Sequence, residues 1–397
     1  MATWASLNIL ASWEVFESGP DFPIAVRQFP AKMFQAVAEN QPANKNRMTA
    51  QLSQFAARLR LAGTLPDREF SALALELFAL QFKFNPAYRV ICEGRHSTPG
   101  SVEHWTQIPF LPAAAFKEWE LSCIPPEART AVFHSSGTTE QKPSRHFHCA
   151  ESLKIYEAAL WTSFEENVIA PAVNYDLLVL TPPPVLVRRS SLIHMFKTIR
   201  RKLGALEPVY VGKIACDGAW VLDFDAALAA LENDSKPKLI LGTAFSFVHL
   251  LDFLAEKNLR LRLPAQSRVM ETGGYKNRSR TMPKAELHSL MTRFLGVVRE
   301  NIICEYGMSE LSSQAYDTGP ERRFHFPSWT RVQIISPETG TEVANGETGL
   351  IRVFDLANVY SVAAIQTEDL AVRIGDGFEL IGRAALAGPR GCSLMTA

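Results

Sequence analysis

Apolar residues recur at helical spacing from about Thr49 to Phe84. Leu52, Phe55 and Leu59 come first, then Phe70, Leu73, Leu77 and Leu80 after a restart marked by Pro66 and Asp67. Each set falls on one helix face, which predicts a helical N-terminal region. Pro109 and Pro112 turn Trp105 to Trp119 into an extended connector leading to a short helix near Ala113. From Ala131 the pattern changes to short apolar runs: Ala131–Phe133, Asp176–Leu180, Val209–Val211, Lys238–Leu241, Arg268–Glu271 and Ile302–Glu305. Amphipathic helical stretches lie between them, near Glu151–Asn167, Ser191–Leu203, Phe224–Glu232, Phe245–Lys257 and Lys284–Phe294. Strand and helix in alternation imply βαβ units and a largely parallel sheet flanked by helices, an α/β fold. After about Phe326, the strand-like runs Val332–Ile335, Gly349–Phe354, Ala371–Ile374 and Phe378–Ile381 are joined by Gly, Asn and Asp turns, which predicts a small antiparallel β section. The expected organisation is a helical region packed on the core (1–125), an α/β core (126–325), a small β section (326–383) and a flexible tail (384–397).

Composition narrows this by exclusion. The 397 residues carry 41 Lys+Arg against 41 Asp+Glu, and no long basic run, so neither a nucleic acid backbone nor an anionic membrane surface is the expected partner. The six cysteines, Cys92, Cys123, Cys149, Cys216, Cys304 and Cys392, form no C-x-x-C pair, which argues against a disulfide framework or structural zinc. Glu14 and Glu17 spoil a signal peptide, and Pro182 to Pro184 interrupt the most apolar run far short of a membrane span. A reduced, cytoplasmic chain without stable membrane insertion is expected.

Chemistry concentrates at three places. Phe133-His-Ser-Ser-Gly-Thr-Thr-Glu-Gln-Lys-Pro-Ser-Arg145 follows a predicted strand; its backbone N–H and hydroxyl groups suit phosphate oxygens, and Gly137 permits close approach. It lacks the Walker spacing, and a polar surface turn has the same composition. Glu305-Tyr-Gly-Met-Ser-Glu310 ends a predicted strand, where an aromatic ring suits a base and a carboxylate suits a metal. It is also one residue from a serine-hydrolase elbow, with Leu311 in place of the second glycine. Thr367-Glu-Asp369 and Gly382-Arg383 bracket the terminal β section. His146 and His148 share one strand face without completing a metal site, and His194 suits either an acyl tunnel or an ordinary helix position.

In this order the motifs resemble the adenylate-forming superfamily, from about Phe133 to Arg383. Ser190-Ser-Leu-Ile-His-Met195, Thr272-Gly-Gly-Tyr-Lys276 and Arg390-Gly-Cys-Ser-Leu394 are similar to the acyl-protein synthetases of the bacterial luminescence fatty acid reductase complex, with phenylacetate-CoA ligases next. The resemblance implies that ATP and Mg²⁺ are cofactors and that a carboxylic, fatty, acid is activated to acyl-AMP. Ser135, Ser136, Gly137, Thr138 and Thr139 would wrap the phosphates, and Thr272, Gly273 and Gly274 would border the adenine and the acyl carboxylate. Tyr306 would lie against the purine, Glu310 would hold Mg²⁺, Asp369 would accept the ribose hydroxyls and Arg383 would sit at a hinge near the ribose. Glu140 stands where the superfamily loop has glycine, Lys142-Pro143 reverses its last pair, and Glu368 replaces the glycine before the aspartate.

The superfamily's mobile C-terminal ligase domain is expected to be absent, with Cys392 on a glycine-flanked tail in its place. By resemblance, Cys392 takes the acyl group as a thioester and presents it to a reductase or other acyl-acceptor protein. Composition alone leaves it an ordinary tail cysteine. The rival expectations are a ligase delivering to CoA or a carrier protein, and a nucleotide-binding relative without catalysis.

Overall fold

The computed structural model describes residues 42–135, 142–205, 209–273, 282–319 and 321–383. Among the described residues three helices come first: α1 (Pro42–Arg58), α2 (Asp67–Phe84) and α3 (Pro86–Gly94). The restart at Pro66 and Asp67 is where the pattern put it. The α3 helix was not foreseen, although Asn85 caps it by accepting the Tyr88 N–H at 3.1 Å and Pro86 occupies its first turn. The connector holds β1 (Leu111–Pro112) and α4 (Ala115–Glu118).

Next come β2 (Ala131–His134), β3 (Arg145–His148), α5 (Ala150–Val168), β4 (Asp176–Val179), α6 (Ser191–Leu203), β5 (Val209–Tyr210), β6 (Gly212–Ile214), β7 (Trp220–Leu222), α7 (Phe224–Glu232), β8 (Lys238–Thr243), α8 (Ala244–Glu256), β9 (Arg268–Thr272), α9 (Lys284–Leu295) and β10 (Ile302–Tyr306). Helix bounds follow local chemistry. In α6, Ser190 accepts the Ile193 N–H, three basic residues occupy the last turn, and Gly204 closes the helix at φ +64°. The remaining strands are β11 (Ala315–Thr318), β12 (Arg323–His325), β13 (Thr330–Ile335), β14 (Thr348–Asp355), β15 (Ala364–Ile374) and β16 (Gly377–Arg383).

The strands β5, β4, β8, β9 and β10 lie side by side, all parallel, with the order reversing between β4 and β8. Every residue of β8 is buried, as expected for a strand covered on both faces. The α5 and α6 helices share a core with one face of this sheet, through Phe164, Phe196, Leu241 and Ile303. The other face packs on α7, α8 and α9 through Leu231, Phe247, Met291 and Ile302. A third core joins α1–α3 to the antiparallel strands, where Phe70, Trp105 and Phe354 meet edge to face with centroids 5.7–6.1 Å apart.

One expectation about strand partners is corrected and one is extended. The β2 strand does not open the parallel sheet; it pairs with β3 in a separate two-stranded ribbon, Ala131 opposite His148 and His134 opposite Arg145. The terminal β section is antiparallel as expected but continues the large sheet. The β11 and β12 strands connect β10 to β16, and β12 meets β16 at a single residue pair, Phe324 with Phe378. Together with β1 on β15, this makes a twelve-stranded sheet among the described residues.

Candidate functional site

The carboxyl ends of the parallel strands face the β2–β3 ribbon, and the described motif residues gather there. Ser135 sits at the ribbon's mouth: its N–H donates to the Ser144 carbonyl at 3.3 Å and its Oγ accepts the Ser144 N–H at 2.9 Å. That pair closes the base of the hydroxyl loop. Ser136, Gly137, Thr138, Thr139 and Glu140 themselves lie outside the described residues, as do Gly274 and Cys392.

Beyond β10, Gly307 lies close against the Glu305 carboxylate, so a Cβ there would push that side chain aside. Glu310 follows, only 4% exposed. Its Oε2 accepts the Ser309 hydroxyl at 2.9 Å, and Ser309 Oγ is 3.4 Å from Ser144 Oγ on the ribbon. Burial pushes the Glu310 carboxyl above its ordinary range, while the Ser144 and Ser309 hydroxyls hold it down in part. Among the described residues no basic side chain forms an ion pair with it. A buried carboxylate flanked by hydroxyls and lacking a cation suits a hard divalent ion, so Glu310 fits the Mg²⁺ role. No cluster of three or more metal-ligating side chains occurs among the described residues.

The backbone around Glu310 is fixed from three directions. His146 Nδ1 lies 2.9 Å from the Ser309 carbonyl, and Asn358 Nδ2 donates to the Glu310 carbonyl at 2.8 Å. Asp355, fully buried, accepts the Ser312 and Ser313 N–H groups on Oδ2, and the Ser313 hydroxyl and Ala357 N–H on Oδ1. Ser144, His146, Asp355 and Asn358 were not singled out as supports of Glu310. The alternation of 144, 146 and 148 on one strand face was readable; the contact with residues some 165 positions away was not.

Tyr306 and Asp369 come together although 63 residues apart: the phenol donates to Asp369 Oδ2 at 2.9 Å. Arg383 Nε donates to Oδ1 at 3.3 Å, and Asp369 and Arg383 are register partners across β15 and β16. Asp369 is 17% exposed and Arg383 76%, so this bond is the weaker anchor. Phe324, Phe326 and Phe378 meet the Tyr306 ring edge to face at 5.7–6.1 Å, leaving the residue 6% exposed. Burial and the neighbouring Asp369 carboxylate keep the phenol protonated. Thr272, at the end of β9, donates its hydroxyl to Glu305 Oε2, and Gly273 follows in the left-handed region at φ +70°. Burial pushes the Glu305 carboxyl up to about 7.

The remaining candidates take structural places. His146 and His148 are buried, their rings 4.3 Å apart. His194 Nε2 lies 3.0 Å from Glu157 Oε1, beside Phe133 and Tyr156. Burial holds the Cys92, Cys123 and Cys304 thiols protonated, with Cys92 pushed up to about 12.

The fold is shared with adenylate-forming ligases of known structure. A 2-hydroxyisobutyryl-CoA ligase in an open conformation superposes with a TM-score of 0.61 at 14% identity, over 81% of this chain and 76% of its own. The same enzyme in its thioesterification state gives a TM-score of 0.57, also at 14% identity, over 92% of this chain and 72% of its own. Within that class, residues 217–397 match the family described as acyl-protein synthetase, LuxE. A long-chain-fatty-acid–luciferin-component ligase of Aliivibrio fischeri is 24% identical over 341 residues, 82% of this chain and 87% of the relative. These two matches make the chain similar to the acyl-protein synthetases, over its C-terminal part by the family model and over most of its length by the relative. No described helix is long and apolar enough to cross a membrane.

Proposed function

We propose that this protein uses ATP to activate a carboxylic acid, a fatty acid in the first instance, and then carries the acyl group on Cys392 for delivery to a reductase. The observation that carries the first step is the buried, cation-seeking Glu310 carboxylate, held beside the base of the hydroxyl loop and on the same strand end as Tyr306. The fatty-acid ligase named above supports the substrate class.

In the activation step a carboxylate oxygen of the acid attacks the α-phosphorus of ATP, the α–β anhydride bond breaks and pyrophosphate leaves. Ser135 to Thr139 hold phosphate oxygens by hydroxyl and backbone N–H groups, and Thr272, Gly273 and Gly274 border the acid. Glu310 holds Mg²⁺, which supplies positive charge to the phosphates when bound. Asp369 takes the ribose diol, and its orientation is set by Tyr306, whose ring is so enclosed by phenylalanines that little of it remains for a purine to meet. In the transfer step the Cys392 thiolate attacks the acyl carbonyl, the mixed anhydride opens and AMP leaves.

Acid-dependent exchange of pyrophosphate into ATP tests activation, and Glu310→Gln should slow it by about 100-fold. Labelled acid should then appear on the protein as a hydroxylamine-sensitive adduct that Cys392→Ser abolishes. A labelled Cys392→Ser chain, or multiple turnover to acyl-CoA without a protein acceptor, would remove Cys392 from the scheme. Exchange absent with every acid would remove the activity itself.

A further inference from the structure

We propose that His146 is a positioning residue for the Glu310 carboxylate, which sets the phosphate-loop base and the cation ligand at a fixed separation through one strand. This rests on the reading of Glu310 as the cation ligand. Three observations converge on it.

First, burial alternates along β3 and the residue just before it: Ser144, His146 and His148 are buried while Arg145 and Phe147 are half-buried. Two consecutive inward residues grip the same dipeptide. Ser144 Oγ reaches Ser309 Oγ, which in turn donates to Glu310 Oε2, and His146 Nδ1 reaches the Ser309 carbonyl. A two-point grip fixes orientation as well as position. Second, Ser144 is also the residue that closes the hydroxyl loop against Ser135. The loop base and the carboxylate turn are therefore keyed to residues two apart, Ser144 at the entry to β3 and His146 within it.

Third, the ring cannot turn away. Phe116 packs against it at 6.2 Å and 67°, and His148 at 4.3 Å and 39°. A carbonyl oxygen only accepts, so Nδ1 carries the proton, and burial pulls the imidazole down to about 4, leaving it neutral. An apolar ring would fill the same space and leave the Ser309 carbonyl without its donor.

The test compares His146→Asn, whose Nδ2 sits at the same bond distance from the backbone as Nδ1, with His146→Gln and His146→Ala. In the full chain, the Mg²⁺ concentration for half-maximal pyrophosphate exchange should rise about tenfold or more in His146→Ala and His146→Gln, and return to within about twofold of wild type in His146→Asn. The extra rise in melting temperature that Mg²⁺ adds to ATP, which needs no turnover, should follow the same order. Equal behaviour of the Asn and Gln variants, or an unchanged Mg²⁺ response in a folded His146→Ala chain, overturns the proposal. The functional reading fails separately, if the wild-type chain shows no exchange or if Glu310→Gln leaves the Mg²⁺ response intact.

Discussion

Asp355 offers a sharp test of what holds the Glu310 turn. Its two oxygens accept four donors at 2.8–2.9 Å: Ser312 N, Ser313 N, Ser313 Oγ and Ala357 N. Trp329 Nε1 completes the cluster by donating to Ser313 Oγ at 2.9 Å. Replacing Asp355 with Ala strands three backbone N–H groups where water has little access. Each orphan costs about 1–3 kcal/mol, and since such costs do not add in full, the expected loss is about 4 kcal/mol. Asn is milder. With its amide nitrogen in the Oδ1 place, both serine N–H groups keep their oxygen, while Ala357 N–H loses its acceptor and the Ser313 hydroxyl must turn its hydrogen elsewhere to accept the amide; about 2 kcal/mol is expected. Urea unfolding followed by the fluorescence of buried Trp329, with the other tryptophans replaced, would read both values. Equal losses for the two variants would refute the reasoning, because donor pairing predicts a gap and simple loss of charge does not. Asp355→Ala should also slow pyrophosphate exchange, since Ser312 and Ser313 lie only two and three residues after Glu310.

Two further outcomes are expected. Tyr306→Phe removes the hydroxyl that orients Asp369 and should raise KM for ATP about fivefold, equivalent to about 1 kcal/mol, with little change in kcat; an unchanged KM would show that Asp369 needs no such support. Glu305 binds its proton more tightly when folded, at about 7 against 4.5, so its stabilising contribution is complete below pH 4.5 and lost as the pH rises towards 7. Against Glu305→Gln, wild type should therefore lose up to about 3 kcal/mol of relative stability between pH 4.5 and 7.5, and a flat difference in melting curves across that range would refute it.

Local order was largely legible in the chain. The α6 and α7 helices have the bounds that periodicity predicts, because Ser190, Gly204 and Asp223 write their caps into the sequence. The α3 helix was legible too, from Asn85 and Pro86, and was passed over. Partners were not legible. Nothing in Ala131–His134 says that it pairs with β3 and not with the parallel sheet, because strand character is a property of one segment and pairing of two. The β11–β12 hairpin escaped because Asp317 breaks its apolar pattern; that buried carboxylate is met by Lys284, Arg322 and the Cys304 N–H. At the candidate site the motifs pointed to Tyr306, Glu310 and Asp369, but the bond between Tyr306 and Asp369 and the Asp355 cradle arise from packing across long stretches of chain. Such contacts leave no local pattern.

The single residue pair between β12 and β16 has a mechanical consequence. A sheet resists twisting through its ladder of hydrogen bonds, and here two broad panels share one rung, padded by Phe324 against Phe378 at 5.5 Å. Tyr306 belongs to one panel and Asp369 to the other, and their 2.9 Å bond crosses the seam. A nucleotide gripped by residues on both sides would act as a rivet, so that the stiffness of the seam, and with it the slow twisting of one panel on the other, becomes a measure of whether the site is filled.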